Sequence, residues 1–401
     1  MIEGWKEYRF DEIAIFPPKV KMQKGEFYPF IPMENLDGGY KYVRPKEEKQ
    51  FKGGGAKFEE GDTLFARITP CLQNGKIAQA KGLGGKPAFG STEYFVFRGI
   101  EGVSDSDFIY YLSKTLRFRG SAENSMVGAS GRQRADTNFV RNLKVTVPPL
   151  PSQRKIASIL SAYDDLIENN LKRIKLLEEK AQLTYEEWFV RMKFPGYETT
   201  PINKETGLPE GWGQFSLGEL IVNFDSQRIP ISRMQREEMQ GKYPYYGAAS
   251  ILDYVNDYIF NGRYVLMGED GTVITNNGYP KLQFVQGKFW VNNHAHVLQG
   301  ARISNEFLYL FLNQYPIQGH VTGVAQPKIN QKNMNRISVV KSPQTTQDSF
   351  DAIVKPIFDT IFNLQYQNLI LKESRDIFLP RLMTGMIDVE QMKLKTIKPA
   401  N

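Results

Sequence analysis

The sequence predicts an α+β protein built twice: two repeated domains with mixed or antiparallel sheets, joined by two long antiparallel coiled-coil helices with pseudo-twofold symmetry. Three observations carry that expectation. From Ser152 to Val190 the chain contains neither Gly nor Pro, and its apolar residues recur at alternating steps of four and three. A second stretch near the C-terminus has the same period. Short β-type runs separated by Gly-rich turns fill the remainder, in two blocks whose ends resemble each other.

The first block, residues 1–150, holds the runs GDTLFARI, KIAQA, EYFVFRG and LKVTVPPL, punctuated by DGG, GGG and GLGG. Such runs between turn residues read as strands. A helix is expected from Ser106 to Leu116. Pro148, Pro149 and Pro151 then form a stiff joint into the central helix, residues 151–193. Its seam is Tyr163, Ile167, Asn170, Ile174, Leu177, Ala181, Thr184 and Trp188. That spacing keeps one stripe facing a partner helix.

A connector (194–210) leads to the second block, residues 211–345. GWKEYRFDEIA from Gly4 aligns with GWGQFSLGELI from Gly211, an offset of 207, while Pro149 and Gln153 align with Pro343 and Gln347, an offset of 194. The second copy is therefore 13 residues shorter between these anchors. Its strand runs are RYVLMG, TVITN, LQFVQGKFWVN, HAHVLQG and RISVV, with a helix at Asn305 to Gln314. The aromatic stretch KYPYYGAASILDYVNDYIF reads as core and hairpin packing. The C-terminal helix, 346–389, has the seam Phe350, Val354, Ile357, Ile361, Leu364, Asn368, Leu371, Arg375, Phe378 and Leu382. A tail, 390–401, follows. At about 1.5 Å per residue the first helix would be roughly 58 Å long. Packed antiparallel on the second, it would hold one domain at each end and present two readers about a turn of B-DNA apart.

Composition narrows the function. An apolar fraction of 41% and a charged fraction of 24% fit a globular protein, and a formal charge of +7 favours an acidic partner. One cysteine, Cys71, excludes a disulfide framework and fits a reducing cytoplasm. No run approaches a membrane span. Catalytic patterns are missing: no glycine run has P-loop spacing, and no Asn precedes either Pro-Pro pair, as the amino-methyltransferase loop requires. His294 and His296 alternate on one strand face but lack a third ligand, so a structural or DNA-facing role is preferred to metal. Glu269-Asp270, Glu47-Glu48 and Glu59-Glu60 read as solvated loops.

Nucleic-acid signals are better. Lys114, Arg117, Arg119, Arg132, Arg134, Arg141 and Lys144 outnumber Glu123 and Asp136 just before the central helix; Lys328, Lys332, Arg336 and Lys341 occupy the matching place in the second copy without an acid. Cations neutralise phosphates, while Arg, Gln and Asn read purine edges. The leading contact loops are GASGRQR, with Ser130, Arg132, Gln133 and Arg134, and GVAQPKINQ, with Gln326, Lys328 and Gln331. Arg67, Thr69, Asn74 and Lys76 join them because RITPCLQNGK is polar and turn-rich, as do Asn276, Asn277, Lys281 and His294 in the second domain.

At these residues the chain resembles, over nearly its whole length, the specificity subunits of type I restriction-modification enzymes. PLPSQRKIASILSAYDDLIENNLKRIKLLEE is similar to the central conserved region of that family and FLPRLMTGMIDV to its second. GDTLFARITPCLQNGKIAQ with GSTEYFVF, and YPYYGAASILDYVNDYIF with GEDGTV and KFWVNNHAHVL, look like two different kinds of target recognition domain. The resemblance implies a non-catalytic prokaryotic, cytoplasmic subunit that binds double-stranded DNA at an asymmetric bipartite site, one half per domain. It implies helices acting as a spacing ruler and as the dock for two modification subunits, through a seam that includes Tyr163, Ile167, Ile174, Leu177, Trp188, Ile357, Ile361, Leu371, Phe378 and Leu382. S-adenosylmethionine would sit on those subunits and no cofactor in this chain; restriction subunits are an optional addition. The alternative is a coiled-coil adaptor between proteins whose heads do not read DNA.

Overall fold

The computed structural model describes residues 4–129, 131–323 and 326–392. The chain divides into two units, Met1–Asn170 with Tyr366–Asn401, and Leu171–Gln365. Each unit contains one globular sheet-bearing body and part of each long helix.

In the first unit, Lys6–Arg9 pairs antiparallel with Lys144–Val147, Lys6 opposite Val147. This ribbon joins the start of the globular body to its end. A five-stranded mixed sheet runs in the order Ala14–Ile15, Tyr94–Gly99, Thr63–Ala66, Ile77–Ala80, Tyr42–Val43. Its central strands are buried along their length, which is why they read as unbroken apolar runs. A four-stranded sheet, Glu47–Gln50, Phe27–Ile31, Ala88–Gly90, Ala56–Phe58, completes the body. Phe10 meets Phe97 and Phe118 edge-on at 4.9 and 4.7 Å, sealing the larger core. The helix expected to reach Leu116 ends at Lys114, because the Thr115 hydroxyl accepts the Phe118 amide (3.3 Å) and starts a second helix, Leu116–Asn124.

The second unit repeats the plan. Gly213–Ser216 pairs with Ser338–Lys341, Gly213 opposite Lys341. Both members of this register are the offsets 207 and 194 away from Lys6 and Val147. Beyond each ribbon the Phe10 amide donates to the Leu143 carbonyl (2.9 Å) and the Leu217 amide to Ile337 (2.7 Å). A six-stranded sheet follows the order Ile221–Asn223, Ala295–Gly300, Phe260–Gly268, Leu282–Val291, Gln240–Tyr246, Ile251–Val255. TVITN, expected as a strand, is not one. Gly271 and the turn Asn276-Asn277-Gly278, both with a glycine at positive φ, leave room only for an isolated bridge between Ile274 and Pro280.

The central helix spans Leu150–Tyr185 and the C-terminal helix Gln344–Met383. Both begin earlier than expected. Pro151 sits in the first turn, where a missing N–H breaks no helical bond. Buried Gln153 donates to the Pro148 carbonyl (3.0 Å) and buried Gln347 to the Ser342 hydroxyl (3.2 Å), two equivalent latches at the helix starts. After Tyr185 the first helix widens into a π-helical turn, Glu186–Val190, which lets the neighbours Trp188 and Phe189 both enter the core.

In the first unit the helix portions run antiparallel: Tyr163 lies against Phe378, Asp164 pairs with Arg375 (2.5 Å), and Asn170 donates to Asn368 (2.9 Å). In the second, Tyr185 and Trp188 meet Phe350 at 6.3 and 5.7 Å. Ile167, Ile174, Trp188, Ile357, Ile361 and Leu382 are buried, and Tyr163, Leu177, Leu371 and Phe378 half-buried. Tyr163 meets Phe378 in the first unit, and Ile174, Trp188, Ile357 and Ile361 share one core cluster in the second, with Leu177 packed against it. What faces outward is a different set: Leu166, Tyr366, Leu369, Ile370 and Ile377 in the first unit, Leu176, Leu183 and Ile353 in the second. Thr184, a polar residue of the expected seam, donates to the carbonyl of Lys180 on its own helix (2.8 Å). Among the described residues no helix is long and apolar enough to cross a membrane.

Candidate nucleic-acid interface

Where the strand Thr63–Ala66 ends, three loops of the first unit are laced together by backbone hydrogen bonds. The Arg67 amide donates to the Glu93 carbonyl (3.0 Å), the Ala135 amide to the Arg67 carbonyl (2.8 Å), and Arg134 and Val127 exchange both bonds at 3.0 Å. Thr69 donates its amide to the Gln133 carbonyl and accepts the Gln133 amide on its hydroxyl, each at 3.0 Å. Arg67, Thr69, Gln133 and Arg134 are thus brought together. Asn74 is exposed on the adjoining turn, and Lys76 reaches away to the Met33 carbonyl (3.2 Å). Ser130 lies outside the described residues.

The second unit has the same lacing where Phe260–Gly268 ends. The Glu269 amide donates to the His294 carbonyl (2.8 Å), the Ile329 amide to the Glu269 carbonyl (2.9 Å), and Lys328 and Thr322 exchange bonds at 2.7 and 2.8 Å. Arg67 therefore matches Glu269, Glu93 matches His294, and Arg134 matches Lys328. The backbone is shared and the charges are not. His294 pairs with Asp270, and Lys328 lies 3.7 Å from Glu269. Gln326 is exposed on the same loop, Gln331 at the start of the helix Gln331–Asn335, and Asn276 and Asn277 on the neighbouring turn. The Lys281 amide and carbonyl tie that turn to Val273 and Gly268 (2.8 and 2.9 Å).

Electrostatics separates the side chains that hold the loops together from those left exposed. Glu93 receives Arg134 at 2.7 to 3.0 Å and Arg67 at 3.3 Å. Hydrogen bonding from Arg134, opposed by burial and aided by Arg67, holds its carboxyl below the usual 4.5. A carboxylate with a depressed folded-state value contributes stability that is present above about pH 4.5 and lost as pH falls through the folded value. Glu93→Gln is expected to lose stability at neutral pH and to show a shallower decline below pH ~4.5 than the wild type. Urea midpoints measured across the acid range test this; parallel acid limbs would refute it.

The two histidines part company. His294 is exposed, whereas His296 is buried with Nδ1 2.5 Å from Asp225 and Nε2 2.9 Å from the Ile329 carbonyl. Burial alone would raise the Asp225 carboxyl, but His296, the Val297 amide and Asn223 together hold it low. Ligand atoms of Asp225, Glu269 and His296 lie within 4.8 Å of one another. Their capacity is taken: Arg228 donates to Glu269 (2.7 Å) and the Val297 amide to Asp225 (2.9 Å), so the group reads as a largely covered support for Lys328 and Ile329. Glu269 is therefore not the solvated acid expected. Glu59 and Glu60 are also engaged, with Arg98 and with the Gly82 and Leu83 amides. Sequence reading missed Glu93, Asp225 and Arg228 because the partners that fix them, Arg134, His296 and Glu269, are tens of residues away.

Of the seven cations clustered before the central helix, only Arg117 and Arg132 lack a side-chain partner among the described residues. Lys114 bonds the Gly38 carbonyl, Arg119 pairs with Glu123, Arg141 bonds the Phe16 carbonyl and Lys144 pairs with Glu7. In the second unit Lys332 and Arg336 are exposed and have no side-chain partner among the described residues.

The model of the type I restriction modification DNA specificity domain matches residues 2–179 and 209–370. The type I restriction enzyme MjaIX specificity subunit of Methanocaldococcus jannaschii is 25% identical over 313 residues, covering 72% of this chain and 70% of that protein. The EcoEI specificity subunit of Escherichia coli is 31% identical over 163 residues, 40% of this chain and 27% of that one. The crystal structure of a type I restriction-modification S subunit from M. genitalium shares the fold, with a TM-score of 0.53, 16% identity and coverage of 94% and 96%.

Proposed function

The chain belongs to the type I restriction modification DNA specificity family, and from that premise we propose that its two domains, residues 1–150 and 211–345, each read one half of an asymmetric bipartite duplex site. The observation that carries this reading is the shared backbone lacing with unlike side chains. Arg67, Glu93 and Arg134 stand in one unit where Glu269, His294 and Lys328 stand in the other. Common geometry suits a common task, and different donors and acceptors suit different base sequences. We assign Thr69, Asn74, Arg132 and Gln133 to the first contact surface, without Lys76, whose side chain is turned to the Met33 carbonyl, and Asn276, Asn277, Lys281, Gln326 and Gln331 to the second.

As a specificity subunit the chain is not itself an enzyme. The long helices act as spacer between half-sites and as dock for two modification subunits, which bring S-adenosylmethionine and methylate adenine; restriction subunits join in a full complex. The outward-facing Leu166, Tyr366, Leu369, Ile370 and Ile377 fit that dock better than the seam, which is already filled. Double-stranded DNA in a prokaryotic cytoplasm is the substrate.

Duplex binding by the reconstituted complex is expected to weaken steeply with salt, log affinity falling linearly with log salt. No duplex binding at any salt would favour the adaptor. Mapping methylated adenines would reveal the bipartite site. Inserting a heptad into both helices is expected to change the gap between half-sites while leaving the bases read unchanged, and an unaltered gap would sink the spacer role.

A further inference from the structure

Three arginines stand at the laced loops of the first unit, and the structure separates their roles. Arg67 is mostly covered: its guanidinium lies 5.3 Å from the Phe95 ring centroid and its Nε 3.3 Å from Glu93, so it packs. Arg132 is exposed with no side-chain partner among the described residues, on a turn closed by its amide to the Ala129 carbonyl (3.1 Å). A free cation on a long side chain suits a phosphate.

Arg134 differs from both. Its side chain is 42% exposed, yet its Nε and Nη2 both donate to Glu93, at 2.9 and 2.7 Å. Its backbone is fixed on two sides, by paired bonds to Val127 and a bridge to Ile68. Glu93, with a side chain only 20% exposed, is fixed in turn through its carbonyl by Arg67. The carboxylate occupies one edge of the guanidinium and leaves the end-on edge, Nη1 and the second Nη2 hydrogen, without a partner among the described residues and with its orientation already set. Two parallel donors at fixed spacing match two adjacent acceptors, and the purine edge that offers two acceptors in the major groove is guanine, through N7 and O6. Adenine presents one acceptor and one donor there.

Resting on the reading that this surface meets duplex DNA, we propose that Arg134 reads a guanine in the half-site of residues 1–150, with Glu93 as the positioning residue that presents its outer edge. Phosphate contact would not require such fixing. In the second unit Lys328 occupies the matching place without an equivalent two-point clamp, so the proposal is confined to the first half-site.

The test uses the full chain assembled with its modification subunits, selecting duplexes from a randomised library and measuring affinities of single-base variants of the selected site. Arg134→Gln is expected to lose about ten-fold or more of the preference for G·C at one position of the first half-site, with the other positions and the second half-site unchanged. Glu93→Gln is expected to blunt the same position and no other, without altering the salt slope. Arg132→Ala is expected to weaken all duplexes alike and lower the salt slope by about one. Thermal unfolding of each variant separates a reading defect from a folding defect, and Glu93→Gln keeps the proposal exposed should Arg134→Gln fail to fold. A uniform loss with Arg134→Gln, a changed A·T position, or an unchanged profile overturns the assignment while the specificity function stands. A wild-type complex that selects no sequence overturns both.

Discussion

Arg375→Ala is expected to destabilise the first unit by about 3–5 kcal/mol, since it removes one partner of a buried ion pair. Arg375 and Asp164 expose 4% and 2% of their side chains, and the Asp164 carboxylate also accepts the Tyr111 hydroxyl (2.6 Å). Arg375 bonds the Gly39 carbonyl as well (3.3 Å), on the segment where Lys41 donates to Ser161 and Lys114 to Gly38. Truncation therefore strands a carboxylate among tyrosines and frees a loop from the helix pair. Replacing both partners, Asp164→Leu with Arg375→Met, is expected to recover most of the loss, because no buried charge of the pair remains unpaired and Asp376, the other carboxylate on Arg375, is exposed to water. Urea unfolding of the three proteins decides the matter. Equal losses in the single and double variants would mean that packing, not charge burial, dominates.

Exchanging residues 10–143 for the corresponding segment of a relative is expected to change one half of the methylated sequence completely and leave the other half and the gap untouched. The cut points follow from hydrogen bonding: the Phe10 amide meets the Leu143 carbonyl directly above the ribbon Lys6–Arg9 and Lys144–Val147. Both ribbon strands and both helices stay native in the chimera. Methylated-adenine mapping reads the outcome. A change in both halves would show that the two domains do not recognise DNA independently.

The repeat and the helices were legible because their signals are local or periodic. The offsets 207 and 194 return as hydrogen-bond registers, and the four-three spacing returns as buried Ile167, Ile174, Ile357 and Ile361. Helix starts were misplaced because Ser152 is a good capping residue, yet Pro149 and Pro151 permit the helix to begin before it. The loops proposed to contact DNA were picked out by charge and residue type. Their supports were not: Glu93 reaches Arg134 across 41 positions and His296 reaches Asp225 across 71. A carboxylate in a loop gives no local sign of whether it is solvated or clamps a cation. Reading Glu269 as solvated failed for that reason, with Arg228 41 residues before it.

The paired strands at the foot of each globular body also bear on how large that body is permitted to be. Topologically each body is a loop closed at its neck, and the entropy lost on closing a loop grows only with the logarithm of its length. The segment between Leu217 and Ile337 is 13 residues shorter than that between Phe10 and Leu143, a difference that changes the closure term by only about 0.1 kcal/mol. Chain statistics thus exert almost no selection on body size, so bodies of quite different length can occupy one neck if each supplies its own core.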